Sequence, residues 1–267
     1  MSILEKASVL TVWEDASACG GTNMAADELL AEEAAACGAM LVRLYTWSRP
    51  TISMGGFQKL AEAEPLAREA EIDLVRRPSG GGAILHGTDQ TYAVAVAREH
   101  PLASTPQRLY DAVHTALVDV LCAMGLDAAM VSADLGRDGG SGESAPDGPL
   151  LCFDRRAMGD VVVGPHKVLG SAQRRLSGSV LQHGSLLLRQ CDQAGPASTR
   201  PGLAELGPGT GIVPLPADAL VRRWLEAFAS SLGMTCEFAG PFLVDGMEER
   251  VAERAERFRS AAWLRRR

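Results

Sequence analysis

The sequence predicts an α/β (α+β) chain in which mixed, largely antiparallel sheets pack against helices. Short β-type runs such as Val9 to Trp13, Thr91 to Ala97 and Val180 to Leu188 recur along it. Turn signals, among them Gly164-Pro165 and Ser177-Gly178, separate several of these runs by only a few residues, which favours hairpins. Amphipathic helical stretches are present, but without the regular strand-helix alternation of a parallel fold.

The elements follow in order. Val9 to Trp13 alternates and reads as a strand. Thr22 or Asn23 can cap a helix over Met24 to Ala36, with Asp27 and Glu28 in its first turn and Gly38 as its stop. Leu41 to Trp47 and Thr51 to Gly55 are strand-like around a Ser-Arg-Pro turn, and Asp73 to Arg77 is another short strand. Ala83 to Leu85 and Thr91 to Ala97 follow. Thr105 caps a helix with Pro106 at its first position. Leu109, Val113, Leu117, Val120 and Met124 form the apolar stripe of that helix, and Gly125 ends it. The stretch 132–149 is rich in Gly, Ser and Asp and reads as a mobile loop. Val161 to Val163, Val168 to Ala172 and Val180 to Leu188 are expected as three neighbouring strands. Gln193 to Pro214 is irregular, and two helices close the chain over 217–263.

The 267 residues are 46% hydrophobic and carry a net charge of -7, an ordinary globular profile that argues against nucleic acid as a partner. No apolar stretch is long enough to span a bilayer, and Met1 to Val9 lacks a signal core. The six cysteines are scattered, with no zinc spacing, so free thiols in a reducing cytoplasm and no metal site are expected. Only Lys6, Lys59 and Lys167 among 26 basic residues are lysines. A lysine kept in such a chain suits a position that needs a compact, titratable ammonium.

Four segments carry chemistry. In the first, Arg76-Arg77-Pro78-Ser79-Gly80-Gly81-Gly82 runs on to His86. Consecutive glycines let backbone N–H groups converge on a ligand, and the arginines suit an anion; a plain flexible turn is the other reading. It is neither a P-loop nor a dinucleotide fingerprint. In the second, Lys167 precedes the small-residue strand Gly170-Ser171-Ala172-Gln173, which leaves room for a ligand beside the sheet. In the third, Gln182-His183-Gly184-Ser185 interrupts an apolar strand, and His183 is either a satisfied core histidine or a catalyst. In the fourth, Cys152 precedes Phe153-Asp154-Arg155-Arg156. Nearby positive charge favours its thiolate, although a Cys between Leu and Phe is also an ordinary buried hydrophobe.

Taken in series, these motifs resemble the biotin/lipoate protein ligase and octanoyltransferase family. Asn23 to Glu28, Leu44 to Trp47, Ser53 to Gln58 and Trp263 to Arg266 look like further parts of it. The Cys152-Phe153 pair upstream of Lys167 is similar to the octanoyltransferase branch found in Gram-positive bacteria, whereas the bacterial ATP-dependent ligases lack such a cysteine. The resemblance implies one catalytic domain over 1–267 with a biotin/lipoyl protein ligase-like fold. It implies that Cys152 takes octanoyl from octanoyl-acyl carrier protein and that Lys167 binds the acyl carbonyl. Arg76 to Gly82, His86 and Gly170 to Gln173 would wall the acyl tunnel, with His183, Gly184 and Ser185 lining the same cleft. The acceptor would be a lysine of a lipoyl-carrier protein, such as the glycine cleavage H protein or a dehydrogenase E2 lipoyl domain. The Arg155-Arg156 and Arg174-Arg175 pairs surround the expected mouth, either as a docking rim for an acidic carrier or as solvated surface. No cofactor is required. An ATP-dependent lipoate ligase working through lipoyl-AMP, which would need ATP and magnesium, and a non-catalytic acyl-binding protein are the alternatives.

Overall fold

The computed structural model describes residues 9–132, 156–191, 200–207, 216–242 and 246–266. The elements run β1 (Val9–Glu14), α1 (Gly20–Cys37), β2 (Met40–Tyr45), β3 (Thr51–Met54), α2 (Leu60–Glu69), β4 (Asp73–Arg76), β5 (Ile84–His86), β6 (Asp89–Ala97), α3 (Pro106–Ala123) and β7 (Ala128–Met130). They continue with β8 (Val161–Val163), β9 (His166–Leu176), β10 (Ser179–Leu187), α4 (Ala217–Ser231), β11 (Thr235–Ala239), α5 (Glu248–Arg259) and α6 (Ala261–Leu264). Eight strands form one sheet in the order β11-β1-β2-β6-β10-β9-β8-β7, and β4-β3-β5 form a second. Pairing is antiparallel from β2 through to β7, and parallel for β11-β1, β1-β2 and β3-β4. The mixed, largely antiparallel architecture agrees with the expectation.

Both faces of the large sheet are covered, so its central strands are apolar throughout. On β6, Tyr92, Val94 and Val96 enter a core shared with α3 and α4, where Trp224 and Phe228 are fully buried. Ala93 and Ala95 point the other way, under α1 and α5, beside Leu29, Leu30 and Phe258. The small alanines on that face let α1 lie close to the sheet. The small sheet packs on α2 through Ile52, Met54 and Ala63.

Several boundaries differ from expectation, each for a physical reason. Helix α1 starts at Gly20, so Thr22 and Asn23 are inside it and Cys19 is the N-cap. Asp27 therefore lies in its second turn and is fully buried; it serves tertiary contacts rather than the helix dipole. The closing helix is interrupted at Ser260, whose hydroxyl caps α6 by accepting the Trp263 N–H at 3.2 Å. Helix α2 carries Pro65 within it, and β7 and β11 are short outer strands of the large sheet. None of these three has a clear local signature.

The deepest polar feature ties α1 to the sheet. Arg43 of β2 is 0% exposed and bonds Asp15, Asp27 (2.9 Å) and the Asn23 side chain (3.0 Å). The Tyr45 hydroxyl donates to the other Asp27 oxygen at 2.8 Å, and the Arg43 guanidinium lies over the Tyr45 ring. Removing one member strands the others in a medium that cannot solvate them. Arg43→Met is expected to cost about 3–5 kcal/mol of stability, read as a lower urea midpoint; an unchanged midpoint would show that the network is dispensable.

Candidate functional site

The glycine loop is held down by its own arginines. Arg76 Nη1 donates to the carbonyls of Gly55 (3.0 Å) and Gln58 (2.7 Å), and its Nε donates to Leu264 O at 3.0 Å. Trp263 Nε1 returns a bond to Arg76 O. Arg77 donates to the carbonyls of Ser53, Gly80 (3.0 Å) and Gly82 (2.8 Å). Both guanidiniums are buried, and these donors serve backbone carbonyls. The structure thus makes them staples of the loop, a role the anion-binding expectation did not foresee. The two turns meet so closely that a Cβ on Gly55 would overlap the Gly81 carbonyl oxygen.

Two buried histidines join the loop to the sheet. His86 Nδ1 lies 2.7 Å from Asp89, and its Nε2 lies 2.6 Å from Ser53 Oγ, which accepts from Arg77. Burial lowers the His86 pKa despite Asp89. Burial works against the Asp89 charge, but His86, Ser185 and the Gly87 N–H outweigh it and hold that carboxyl below its ordinary value. A neutral His86 bearing its proton on Nδ1 satisfies every partner: it donates to Asp89 and accepts from Ser53. His183 Nδ1 lies 2.8 Å from Asp27 Oδ2, and its Nε2 meets the Ser79 hydroxyl. His183 is a loop anchor in this arrangement.

Under the loop lies a narrow cavity of ≈ 20 Å³, room for about one water, which an acyl chain must widen to enter. Met24, Trp47, Ile84 and Ala172 give it apolar walls; Arg77, His86, Thr91 and His183 supply polar edges. Trp47 stacks on His86 at 3.9 Å and donates to Thr91 Oγ1 at 2.8 Å, so this wall is fixed in orientation. Gly184 and Ser171 are opposite in register, and Tyr92 crosses Gly184 to reach Ser171 Oγ at 2.7 Å. A Cβ on Gly184 would overlap that hydroxyl and lie 2.6 Å from the Tyr92 ring.

A β-bulge turns Lys167 to the sheet face that carries Ala172 and His183, but Lys167 is not among the residues that line the cavity. Val161 pairs with Leu169 and Val162 with Lys167, so one extra residue sits on β9. Val161 and Leu169 share the α3 core, which turns Val162 and Lys167 to the opposite face, the face of Ala172 and His183. Lys167 Nζ pairs with Asp160 Oδ2 at 2.7 Å, both side chains buried. Burial raises the Asp160 pKa and Lys167 pulls it back. The space beside Gly170 is filled by the Lys167 stem, not left for a ligand as the sequence reading supposed. Behind the sheet, His114 on α3 holds this corner: its Nδ1 lies 2.6 Å from Gly159 O and its Nε2 2.8 Å from Ser171 Oγ. Burial pushes the His114 pKa down to about 4, so it is neutral here.

Of the expected residues, Arg77, Gly81, His86, Ser171, Ala172 and His183 line the cavity, as do Gly184 and Ser185. Arg76, Ser79, Gly80 and Gly82 build the loop from behind. Gln173 stands apart, bonding Gln182 Oε1 at 2.7 Å and Pro106 O. Cys152 and the expected mobile loop from residue 133 on lie outside the described residues. Sequence reasoning missed Arg43, His114 and Asp160; a lone Arg within the apolar run Met40 to Tyr45 was the one available signal. Among the described residues, no group of three or more His, Cys, Asp or Glu side chains is placed to hold a metal.

Known proteins resemble this chain in sequence and in fold. A profile of the lipoyl protein ligase A/B catalytic domain matches residues 20–195. Octanoyltransferase LipM of Kyrpidia tusciae is 34% identical over 243 residues, covering 86% of this chain and 80% of that protein. The LipM proteins of Carboxydothermus hydrogenoformans and Moorella thermoacetica are 35% and 39% identical over 64% and 62% of this chain. The matched stretch spans only 61% and 60% of those two relatives. A lipoate-protein ligase A bound with ATP superposes with a TM-score of 0.70 at 19% identity, covering 97% of this chain and 98% of the other. A bi-partite lipoate protein ligase from Thermoplasma acidophilum gives 0.69 at 16% identity, covering 97% and 96%. At such identities, likeness shows the fold alone.

Gly184→Ala is expected to cost about 1–3 kcal/mol through overpacking and to weaken binding of a medium-chain fatty acid by calorimetry; wild-type stability and affinity would contradict the packing described. A second expectation concerns Cys19. Burial opposes its ionisation, but Thr22 and Arg259 (3.1 Å) outweigh it and lower its pKa to about 7. Its alkylation rate should rise with pH to a midpoint near 7, and Arg259→Ala should move that midpoint upward; no shift would remove Arg259 as the cause.

Proposed function

The chain belongs to the family of lipoyl protein ligase A/B catalytic domains, and within it we propose an octanoyltransferase that passes octanoyl from acyl carrier protein, through an acyl-cysteine, to a lysine of a lipoyl-carrier protein. The acceptor class is the glycine cleavage H protein or a dehydrogenase E2 lipoyl domain. The LipM relatives support the reaction class. The observation that carries the residue assignment is a backbone clamp. Val131 N–H donates to Asp160 O at 2.8 Å, and Gly159 N–H donates to Val131 O at 2.9 Å. This clamp sets Val131 and Gly159 beside the Asp160–Lys167 pair, and Cys152 lies eight residues before Asp160 in the sequence.

The chemistry follows from thiolate and ammonium. The Cys152 thiolate adds to the thioester carbonyl, and the carrier thiolate leaves, giving octanoyl-Cys152. Negative charge that develops on the carbonyl oxygen is met by Lys167, which Asp160 keeps oriented. The acceptor amine then forms the C–N bond, releases one N–H proton and expels the Cys152 thiolate. Thioester exchange is nearly balanced and the amide is more stable, so the route consumes no ATP and requires no cofactor. A slot with apolar walls grades acyl length by about 1–3 kcal/mol per methylene.

Octanoyl-acyl carrier protein without ATP should add one octanoyl mass to the protein, and Cys152→Ser should abolish the adduct. Acylation that requires ATP and magnesium and survives Cys152→Ser would instead identify a lipoate ligase. Bound fatty acid with no turnover under either condition would identify an acyl-binding protein.

A further inference from the structure

On the other side of the glycine loop from the acyl cavity lies a second cleft of ≈ 140 Å³, and its walls are cationic. Among the described residues, Arg76, Arg77, Arg174, Arg257 and Arg266 line it, with Glu28 as the one carboxylate. This accumulation occurs in a chain of net charge -7, so it does not reflect bulk composition. Arg257 is paired with Glu28, and Arg76 spends its donors on backbone carbonyls. Arg174 differs. Its Nε is buried with no hydrogen-bond partner among the described residues, and no carboxylate pairs with it there. Arg266 lies over the Trp263 ring at 4.6 Å and near enough to Arg76 to depress its pKa, after burial. Like charges held this close are relieved by an anion between them. Phe57, on the same rim, is 75% exposed.

The cleft and the cavity are continuous along β9. Side chains two residues apart share a strand face, so Ala172 in the cavity wall is followed by Arg174 and Leu176 in the cleft. The step from Ala172 to Arg174 is about 7 Å. Arg77 borders both spaces.

We propose that this arginine cleft, with Phe57 at its rim, is the docking surface for the acidic carrier domain that delivers the acyl thioester. The inference rests on the octanoyltransferase reading and deepens it. Carboxylates on a carrier helix and the phosphodiester of its prosthetic arm are the anions that forked guanidiniums bind well. The acceptor domain is disfavoured here, because it must present a lysine ammonium that five guanidiniums repel. The docked carrier places its arm at the shared wall of Arg77, from which the acyl chain enters the neighbouring cavity.

The test compares two donors on the intact protein: octanoyl-acyl carrier protein, and the octanoyl thioester of N-acetylcysteamine, which carries neither protein nor phosphate. Acyl-enzyme formation is followed by intact mass for wild type, Arg174→Glu, Arg266→Glu and Phe57→Ala. Each charge reversal should lower kcat/KM for the carrier-borne donor by roughly ten-fold or more and flatten its salt dependence. Rates with the small thioester should stay within about two-fold. Arg266→Glu lies on the exposed C-terminal turn and guards against a folding defect at Arg174. Equal losses on both donors, or no loss on either, would overturn the docking assignment. If wild type forms no adduct from either donor, the octanoyltransferase reading itself fails, and the docking surface with it.

Discussion

The Asp27 carboxylate is the fixed point of the molecule. It is buried in α1 and accepts hydrogen bonds from Arg43 and Tyr45 of β2 and from His183 of β10. A carboxylate taken out of water is tolerated only with such a full complement of donors. Through His183 the same group reaches Ser79, so the position of the glycine loop depends on a charge satisfied at the centre of the fold. That tether works together with the Arg76 and Arg77 bonds that hold the loop to its neighbours.

The site is an assembly of three supports. The loop is stapled by Arg76 and Arg77 and closed off by Trp263 and Leu264 of α6. The wall of Trp47 and His86 is locked by stacking and by Thr91. The charged corner is set by the bulge that turns Lys167 to the sheet face of Ala172 and His183 and by His114, which fixes Gly159 next to Asp160. Each support uses polar groups with committed partners, which is what holds a constellation to the tolerance that chemistry needs. The arginines of the loop illustrate the economy of this arrangement: their hydrogen bonds hold the backbone, while their charge still acts on the cleft behind it.

Much of this was legible in the sequence. The Gly80 to Gly82 loop, the Lys167 strand and the His183 hairpin were identifiable because their composition conflicts with their surroundings: glycines after a strand, a rare lysine, a histidine among aliphatics. Helix α3 was legible from Thr105, Pro106 and a clean apolar stripe, as the observed Pro106–Ala123 span confirms. Other features exist only in three dimensions. Arg43 makes sense inside an apolar strand only once Asp15, Asp27 and Asn23 surround it. The bulge at Val161/Val162 has no local marker, so alternation alone would misassign the face of Lys167. Helix α2 was hidden by Pro65, and β7 and β11 by their brevity.

On the proposed reading, an octanoyl chain occupies the cavity beneath the glycine loop with its carbonyl held by Lys167. A crystal structure of the octanoylated protein tests it most directly. The chain should lie between Met24, Trp47 and Ala172, with the carbonyl oxygen within hydrogen-bonding distance of Lys167 Nζ. An octanoyl group lying outside this cavity, or a carbonyl turned away from Lys167 while the Asp160 pair stays intact, would contradict it.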